Sequence, residues 1–403
     1  MASLIASYKF TVQLELLLKN KSYPIPSSSV KSIMINYDYD KNNMPVLYLN
    51  VRLSSTIYNK MVLNADTATL SFRLYKFDEL GNSIINEPYI EDNFTYVMSS
   101  DPNYDETLEQ VVSGKAMADN DNADSYLEGY ISILSLRLIN DNKKFINDVV
   151  KDTDPLSIIH KYTSHMPMCI EPMDNADHID QFIIPPITSI TNLIHYINNN
   201  YCLYKSGYRF FRDFAATYLL SMKGKPVNTA NNNFNTIIIS IRDPMDRLSK
   251  VSSMEIDRKN HAYIIYVNAK DTSIKIDRTT NKQYNSILGV DTLGNTIKEE
   301  LKIPDTPDIS EKVIIERVQN DNLEKIYNSK ATIESLSVIL TIAKNEIDST
   351  LLTPNKEYQV RNYSGSRDFD GRYVLSYKKE IMYQQDKNFI DSVMFGLRRV
   401  TEE

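Results

Sequence analysis

The chain has 403 residues, 42% of them hydrophobic and 24% charged, with a formal net charge of −7; that is the profile of a globular protein with roughly two to four domains. The acidic balance excludes a protein whose main task is gripping nucleic acid, which needs a basic face against phosphate, though not a surface past which DNA slides. Two cysteines, Cys169 and Cys202, exclude a disulfide framework or zinc ribbon, and no stretch approaches the ~18–20 apolar residues of a membrane span.

The opening "MASLIASYKFTVQLELLLK" has no basic leader and alternates like a strand, which points to a protein made and kept, or assembled, in the cytoplasm. Phe10, Val12, Leu14 and Leu16 form one face of that strand. "VKSIMINYDYD" repeats the period with Ile33, Ile35 and Tyr37. "VLYLNVRL" does so with Leu47, Leu49, Val51 and Leu53, and "ATLSFRLYKF" with Leu70, Phe72 and Leu74. Turn clusters separate these runs, as expected of an antiparallel sheet or small barrel. Residues 99–124 are polar and acidic, a linker or long loop. Its "DNDNAD" (119–124) fails the calcium-loop template, with no Gly at the sixth position and Tyr130 where a bidentate Glu belongs.

Strand character returns in "YISILSLRLIN". In "DTDPLSIIHKYTSH", Asp154 caps a helix with Pro155 at its first position, and Leu156, Ile159, His160 and Thr163 fall at helical spacing. A second helix starts at Thr188 or Ser189, after Pro185 and Pro186 force an extended approach. Ile190, Leu193, Ile194 and Ile197 make its apolar face. A turn at Gly207 leads into "RFFRDFAATYLLSM". Further strands follow in "NTIIISIRD", "HAYIIYVNA" and "TSIKIDRTT", the last two joined by an "AKD" hairpin signal. "KVIIERVQ", "SLSVILTIA", "EYQVRNY" and "GRYVLSYKKEI" continue the theme, and "NFIDSVMFGLRR" is a strand or short helix. The expected fold is α+β, predominantly β, with two β regions around an α/β insert. The corresponding domains are 1–115 (β), 116–225 (α/β insert), 226–310 (β-rich) and 311–403 (β).

Sequence signatures of catalysis are weak. "MKGKPVN" lacks the glycines and Ser/Thr of a P-loop, and no GxGxxG, HExxH or GxSxG occurs. His160, His165, Cys169 and His178 could hold zinc only if they converged, and their spacing matches no compact template. Asp174, Asp177 and Asp180 read as a chance cluster in an acidic chain. His195 and Cys202 could pair as base and nucleophile, but across a helix end they share no face. Arg212 and Asp213 read as surface or strand-edge charges, with Asp213 capping a local turn. No cofactor or metal is expected. The sharper expectation is an interface or packing cluster of Ile194, Tyr201, Tyr204, Tyr208, Phe210, Phe211 and Phe214, since tyrosine joins an apolar body to a polar tip.

Four segments taken in order carry a family resemblance: "VKSIMINYDYDKNNMPVLYLNVRL", "YLEGYISILSLRLINDNKKF…DPLSIIHKY", "IIPPITSITNLIHYINNNYCLYKSGYRFFRDF" and "LLTPNKEYQVRNYSGSRDFDGRYVLSYKKEI". Together they resemble the tail hub or baseplate hub proteins of bacteriophages and contractile injection systems. The resemblance implies two tail-tube-like antiparallel β-barrel regions with an α/β insert. It further implies a homotrimer, assembled in the host cytoplasm and located in the virion tail. Its partners would be a tail tube protein, a central spike or tip protein and baseplate proteins. DNA would pass through during ejection without specific binding, and the chain itself would not insert into a membrane. The alternatives are a tail-associated cell-wall hydrolase and another baseplate or tube-capping component.

Overall fold

The computed structural model describes residues 9–19, 21–40, 44–77, 87–99, 116–117, 126–163, 167–187, 189–201, 203–204, 206–224, 235–243, 254–277, 284–290, 296–300, 311–314, 337–345, 347–385 and 388–400. The chain opens with strands β1 (Lys9–Leu18), β2 (Lys21–Ile25), β3 (Val30–Asp38) and β4 (Val46–Ser54), then helix α1 (Ser55–Leu63). Next come β5 (Thr69–Phe77), β6 (Ile90–Ser99), β7 (Ala116–Met117) and β8 (Tyr126–Ser135). The α/β part comprises α2 (Leu136–Asn142), β9 (Ile146–Thr153), α3 (Pro155–Thr163), β10 (Met168–Ile170), β11 (Ile179–Ile187), α4 (Ile190–Tyr201), β12 (Tyr208–Arg212) and β13 (Thr217–Ser221). After it run β14 (Thr236–Arg242), β15 (Met254–Asp257), β16 (Ala262–Asn268), β17 (Thr272–Asp277), β18 (Tyr284–Val290), β19 (Thr296–Glu300) and β20 (Glu311–Ile314). The last four are β21 (Ser337–Asn345), β22 (Glu357–Asn362), β23 (Gly371–Gln385) and β24 (Asn388–Arg399).

The alternating runs become strands buried on one face: Phe10, Val12, Leu14 and Leu16 point inward on β1, and Ile33, Ile35 and Tyr37 on β3. Pairing carries β23 to β3, β4, β8, β6, β5, β1, β24 and back to β23, antiparallel at every step. These strand pairs close a ring around a core filled by side chains. Closure is uneven. β23 and β24 match over almost their whole length, whereas β1 meets β24 at the single register point Phe10↔Phe389.

The ring shares β23 and β24 with a second sheet, ordered β15–β16–β14–β22–β23–β24–β21–β17. This sheet is mixed, because β14 runs parallel to both β16 and β22. Ile237, Ile238, Ile239, Ser240 and Ile241 of β14 are all buried, the two-sided burial typical of parallel strands. A bulge at Ser376 lets β23 serve both bodies. Before it Val374 and Leu375 face Arg398 and Leu397, and after it Tyr377 faces Gly396. The Ser376 carbonyl accepts from Tyr39 N (2.8 Å), and its hydroxyl bonds Asp40 Oδ2. The extra residue bends the strand from one sheet into the other.

Inside the ring, β23 points Lys378 and Glu380 inward as a buried pair at 2.8 Å. Lys378 Nζ also donates to Ser349 O (3.1 Å) and lies 4.5 Å above the Tyr37 ring. Lys76 reaches Asp348 at 2.7 Å. Ile347 and Leu352 are in the same core, so the segment after β21 is tied into the ring by both charge and apolar contact.

Several local expectations are corrected. Leu136–Asn142 is helix α2 rather than a continuation of the strand, because the Ser135 hydroxyl accepts Leu138 N (3.3 Å) and caps it. Helix α1 was not anticipated; Ser54 caps it, and Tyr58 and Met61 are its buried residues. β16 and β17 do not form a hairpin. Both edges of β16 are taken by β15 and β14, and a 3₁₀ turn at Ala269–Asp271 sends β17 to β21. The segment 388–399 is strand, not helix. The "DNDNAD" loop at 119–124 lies outside the described residues.

Candidate functional site

The block at 183–214 joins the α/β part to the β body. α4 is capped by Ser189, whose hydroxyl accepts Asn192 N (3.0 Å). Its apolar stripe of Ile190, Leu193, Ile194 and Ile197 is fully buried. That stripe meets Ile158 and Ile159 of α3 and Phe182 and Ile184 of β11 in a core separate from that of the ring. Pro185 and Pro186 sit where the β9–β11 register breaks, between Ile184 and Ile187. Proline has no N–H to give a ladder, so the irregularity falls there.

The β12–β13 hairpin is the shared wall. Successive residues of a strand point to opposite faces. Phe210 and Leu219 therefore enter the insert core, while Phe211, Tyr218 and Leu220 enter the ring core. Phe211 lies edge-on to Tyr39 of the ring at 4.5 Å between centroids. Phe214 contacts Phe94 of β6 at 5.9 Å. Tyr204 is buried, and its hydroxyl reaches the carbonyls of Glu171 (2.6 Å) and Leu219 (3.2 Å). The Tyr201 carbonyl accepts from Asn175 Nδ2, and the Tyr201 ring tilts against Phe182. Tyr208 is half-buried, its hydroxyl 3.2 Å from His195 Nδ1. The seven candidate residues thus divide between two cores of the same chain and bring them together.

Two arginines of this hairpin overturn the surface reading of Arg212. Arg212 is only 1% exposed. Its Nη2 donates to Asn142 Oδ1 (2.6 Å) and Leu138 O (3.1 Å), and its Nη1 lies 3.5 Å from Asp141. It therefore neutralises the C-terminal end of α2, where unpaired carbonyls concentrate negative charge. Arg209 points the other way. It donates to Leu375 O (2.9 Å), Ser221 O (3.3 Å) and Pro354 O (3.5 Å). Burial pushes its guanidinium down to about 10, so it stays charged at neutral pH with carbonyls as its hydrogen-bond partners.

Asp213 does cap a turn, accepting Ala215 N (2.8 Å) and Ala216 N (2.7 Å). Burial pushes its carboxyl above the usual range, against the pull of those amides and Lys378. The hairpin exit is clasped by the shared strands. Arg372 Nη2 donates to Lys223 O (2.8 Å), and Arg398 bridges Asp40 (3.3 Å) and Met222 O (3.5 Å). Gly224 has φ +52°, and a Cβ there would stand 2.5 Å from Val374 Cγ1. Only glycine fits that approach.

The histidines and cysteines fall elsewhere. His160 is on the exposed side of α3, because the buried face is Ile158, Ile159 and Thr163. His195 is exposed on α4. His165 and Cys202 lie outside the described residues. Burial and, after it, Asp213 push the half-buried Cys169 thiol up, the wrong direction for a nucleophile or metal ligand. His178 instead lies 3.9 Å from Asp152 and 3.6 Å from Asp180 on the exposed β9–β11 ribbon. Among the described residues this is the group with metal-ligand proximity.

No curated protein matches the sequence. Among solved structures, the fold is shared with a tail protein from Neisseria meningitidis MC58 at 10% identity and TM-score 0.50, over 96% of this chain and 97% of that one. A 43 kDa tail protein of prophage MuSo2 from Shewanella oneidensis aligns at 10% identity and TM-score 0.49, over 96% of both chains. A prophage tail protein from Listeria monocytogenes EGD-e gives 11% identity and TM-score 0.44, over 96% of this chain and 94% of that one. The sequence matches the bacteriophage PBS1 gene 109 protein family over residues 1–400, and the chain belongs to that family.

Proposed function

We propose that this chain is the homotrimeric hub of a phage tail or baseplate, a structural protein acting by shape rather than by catalysis. It joins the tail tube to a central spike or tip and surrounds the channel through which DNA leaves. The observation that carries this reading is the closed antiparallel ring sharing β23 and β24 with a second β body, in a fold that follows the Neisseria tail protein nearly end to end. Two β bodies per chain become six in a trimer, which matches a sixfold tube to a threefold spike. The 183–214 block is the internal dock that holds the insert rigid against this body. An acidic chain suits a wall past which DNA slides.

The test has two parts. Light scattering on concentrated protein should give three times the chain mass of 46.4 kDa. Labelling of purified virions with an antibody to the chain should decorate the tail. Label absent from the tail, or turnover of peptidoglycan by the pure chain, would overturn the proposal.

A further inference from the structure

The ring has one outward face nearly empty of charge. In register across β23, β3, β4, β8 and β6 stand Ile381, Met34, Tyr48, Ser132 and Val97. These positions alternate with the buried ones and are half-exposed, with Val97 reaching 47%. The described outward positions in the rows on either side add one charge, Lys379. Charges resume beyond them, with Lys31 and Arg52 at one end and Asp38 at the other. In a chain that is 24% charged, a face of Tyr, Met and aliphatic residues with Ser, Thr and Asn among them, inside a charged rim, has the low charge of a contact surface.

The same chain carries a second exposed patch, with an apolar centre and a different shape. On the β9–β11 ribbon, Val149 and Ile183 are cross-strand partners, 49% and 50% exposed, with Asn147, Lys151, Gln181 and Pro185 exposed around them, and Phe145, just before β9, is 65% exposed. We propose that these two faces are each other's counterparts in neighbouring copies: the neutral ring face of one subunit receives the apolar ribbon of the next. This rests on the trimer reading above. A closed ring with an odd number of subunits requires a head-to-tail contact between two different faces, not one face meeting itself. Charge also selects the occupant. A strongly charged partner would have its ions stripped of water against a face with almost nothing to pair them, and DNA would find a single lysine.

The area sets the strength. Five strands ~4.8 Å apart and three rows ~6.8 Å apart cover on the order of 400 Å², about half of what each partner contributes to a standard stable interface. The contact is therefore weak in dilute solution and gains strength when three copies close a ring.

The experiment uses the full chain and sedimentation velocity over a concentration series. Val97→Lys and Ile183→Glu are each at exposed positions and should fold, which circular dichroism checks. Each alone should raise the concentration for half-association at least about tenfold. The double variant should restore association, because every contact in a head-to-tail ring then pairs one Lys with one Glu. A trimer that tolerates both single changes would refute this placement while leaving the hub reading intact. So would single variants that fail without rescue in the double. A chain that stays monomeric at every concentration, alone and in virion extracts, would sink both.

Discussion

Gly396 tests whether the shared strands are as tightly fitted as the geometry says. It faces Tyr377 across β23–β24, just past the bulge at Ser376. A Cβ on Gly396 would lie 2.1 Å from Tyr377 Cε1, 2.5 Å from Cδ1 and 2.7 Å from Cζ. An ordinary contact is at least about 3.4 Å, so the ring would have to move by more than an ångström. It is not free to do so, because the Tyr377 hydroxyl bonds Thr341 Oγ1 at 2.7 Å on β21. Overpacking of this kind costs about 1–3 kcal/mol, and losing the hydrogen bond adds about 1 kcal/mol. We expect Gly396→Ala to destabilise by about 3 kcal/mol in urea unfolding. In the Tyr377→Ala background the same change should cost less than about 1 kcal/mol, a coupling of about 2 kcal/mol in a double-mutant cycle. If the two substitutions simply add, within about 0.5 kcal/mol, the ring is not what makes this glycine necessary.

Arg212→Met should destabilise by about 2–4 kcal/mol, since it strands the Leu138 carbonyl and Asn142, while Asp141 keeps Lys144 at 2.7 Å; hydrogen exchange should quicken in α2 before the ring. Asp213→Asn should be neutral or stabilising at pH 7, because a carboxylate whose folded pKa is raised above its unfolded value is penalised when ionised. That advantage should shrink as pH falls through the raised value toward the unfolded range near 4, measured as urea midpoints at two pH values. Ile194→Asp puts a charge into the insert core and should abolish folding, whereas His195→Ala, losing one bond to Tyr208 on an exposed face, should cost about 1 kcal/mol or less by thermal unfolding.

Strand faces were legible because alternation is local: Phe10 to Leu16 need only each other to declare which side is buried. Helix starts were legible for the same reason, as Asp154 and Ser189 show by accepting the amides three residues on. Pairing was not. The ring closes through β23 and β24, hundreds of residues after β1, and nothing in "GRYVLSYKKEI" names β3 as its neighbour. The pattern also hid direction. The isoleucine run of β14 signals two-sided burial, but its two parallel neighbours belong to topology. Lys378 and Glu380 defied the pattern differently. Their charges suggest solvent, yet they pair with each other inside the ring. Arg212 reads as a surface charge for the same reason, and the structure buries it. Its one sequence clue is that three of the five residues of Tyr208–Arg212 are aromatic, so an arginine there continues a buried stretch.

The buried charges bear on why a scaffold would be built this way. A buried ion pair is a poor source of stability, because desolvating both partners costs about as much as their attraction returns. Burial alone works against the charge of Arg209 in the same way, pushing its guanidinium down to about 10. What such groups do supply is position. Arg209 reaches carbonyls on Leu375 and Pro354, Arg212 the end of α2, and Lys378 the carbonyl of Ser349. Each fixes one element against another that apolar contact alone would allow to slide, since an oily face accepts many registers and a directed hydrogen bond, above all a guanidinium fork, accepts few. Replacing Arg209 with Met should therefore change stability by less than about 2 kcal/mol while loosening the insert against β23. The readout is amide exchange in β12 and at Leu375, set beside the global unfolding free energy of each protein. Equal exchange in both proteins would mean that the hairpin's aromatic face, led by Phe211, fixes the register by itself.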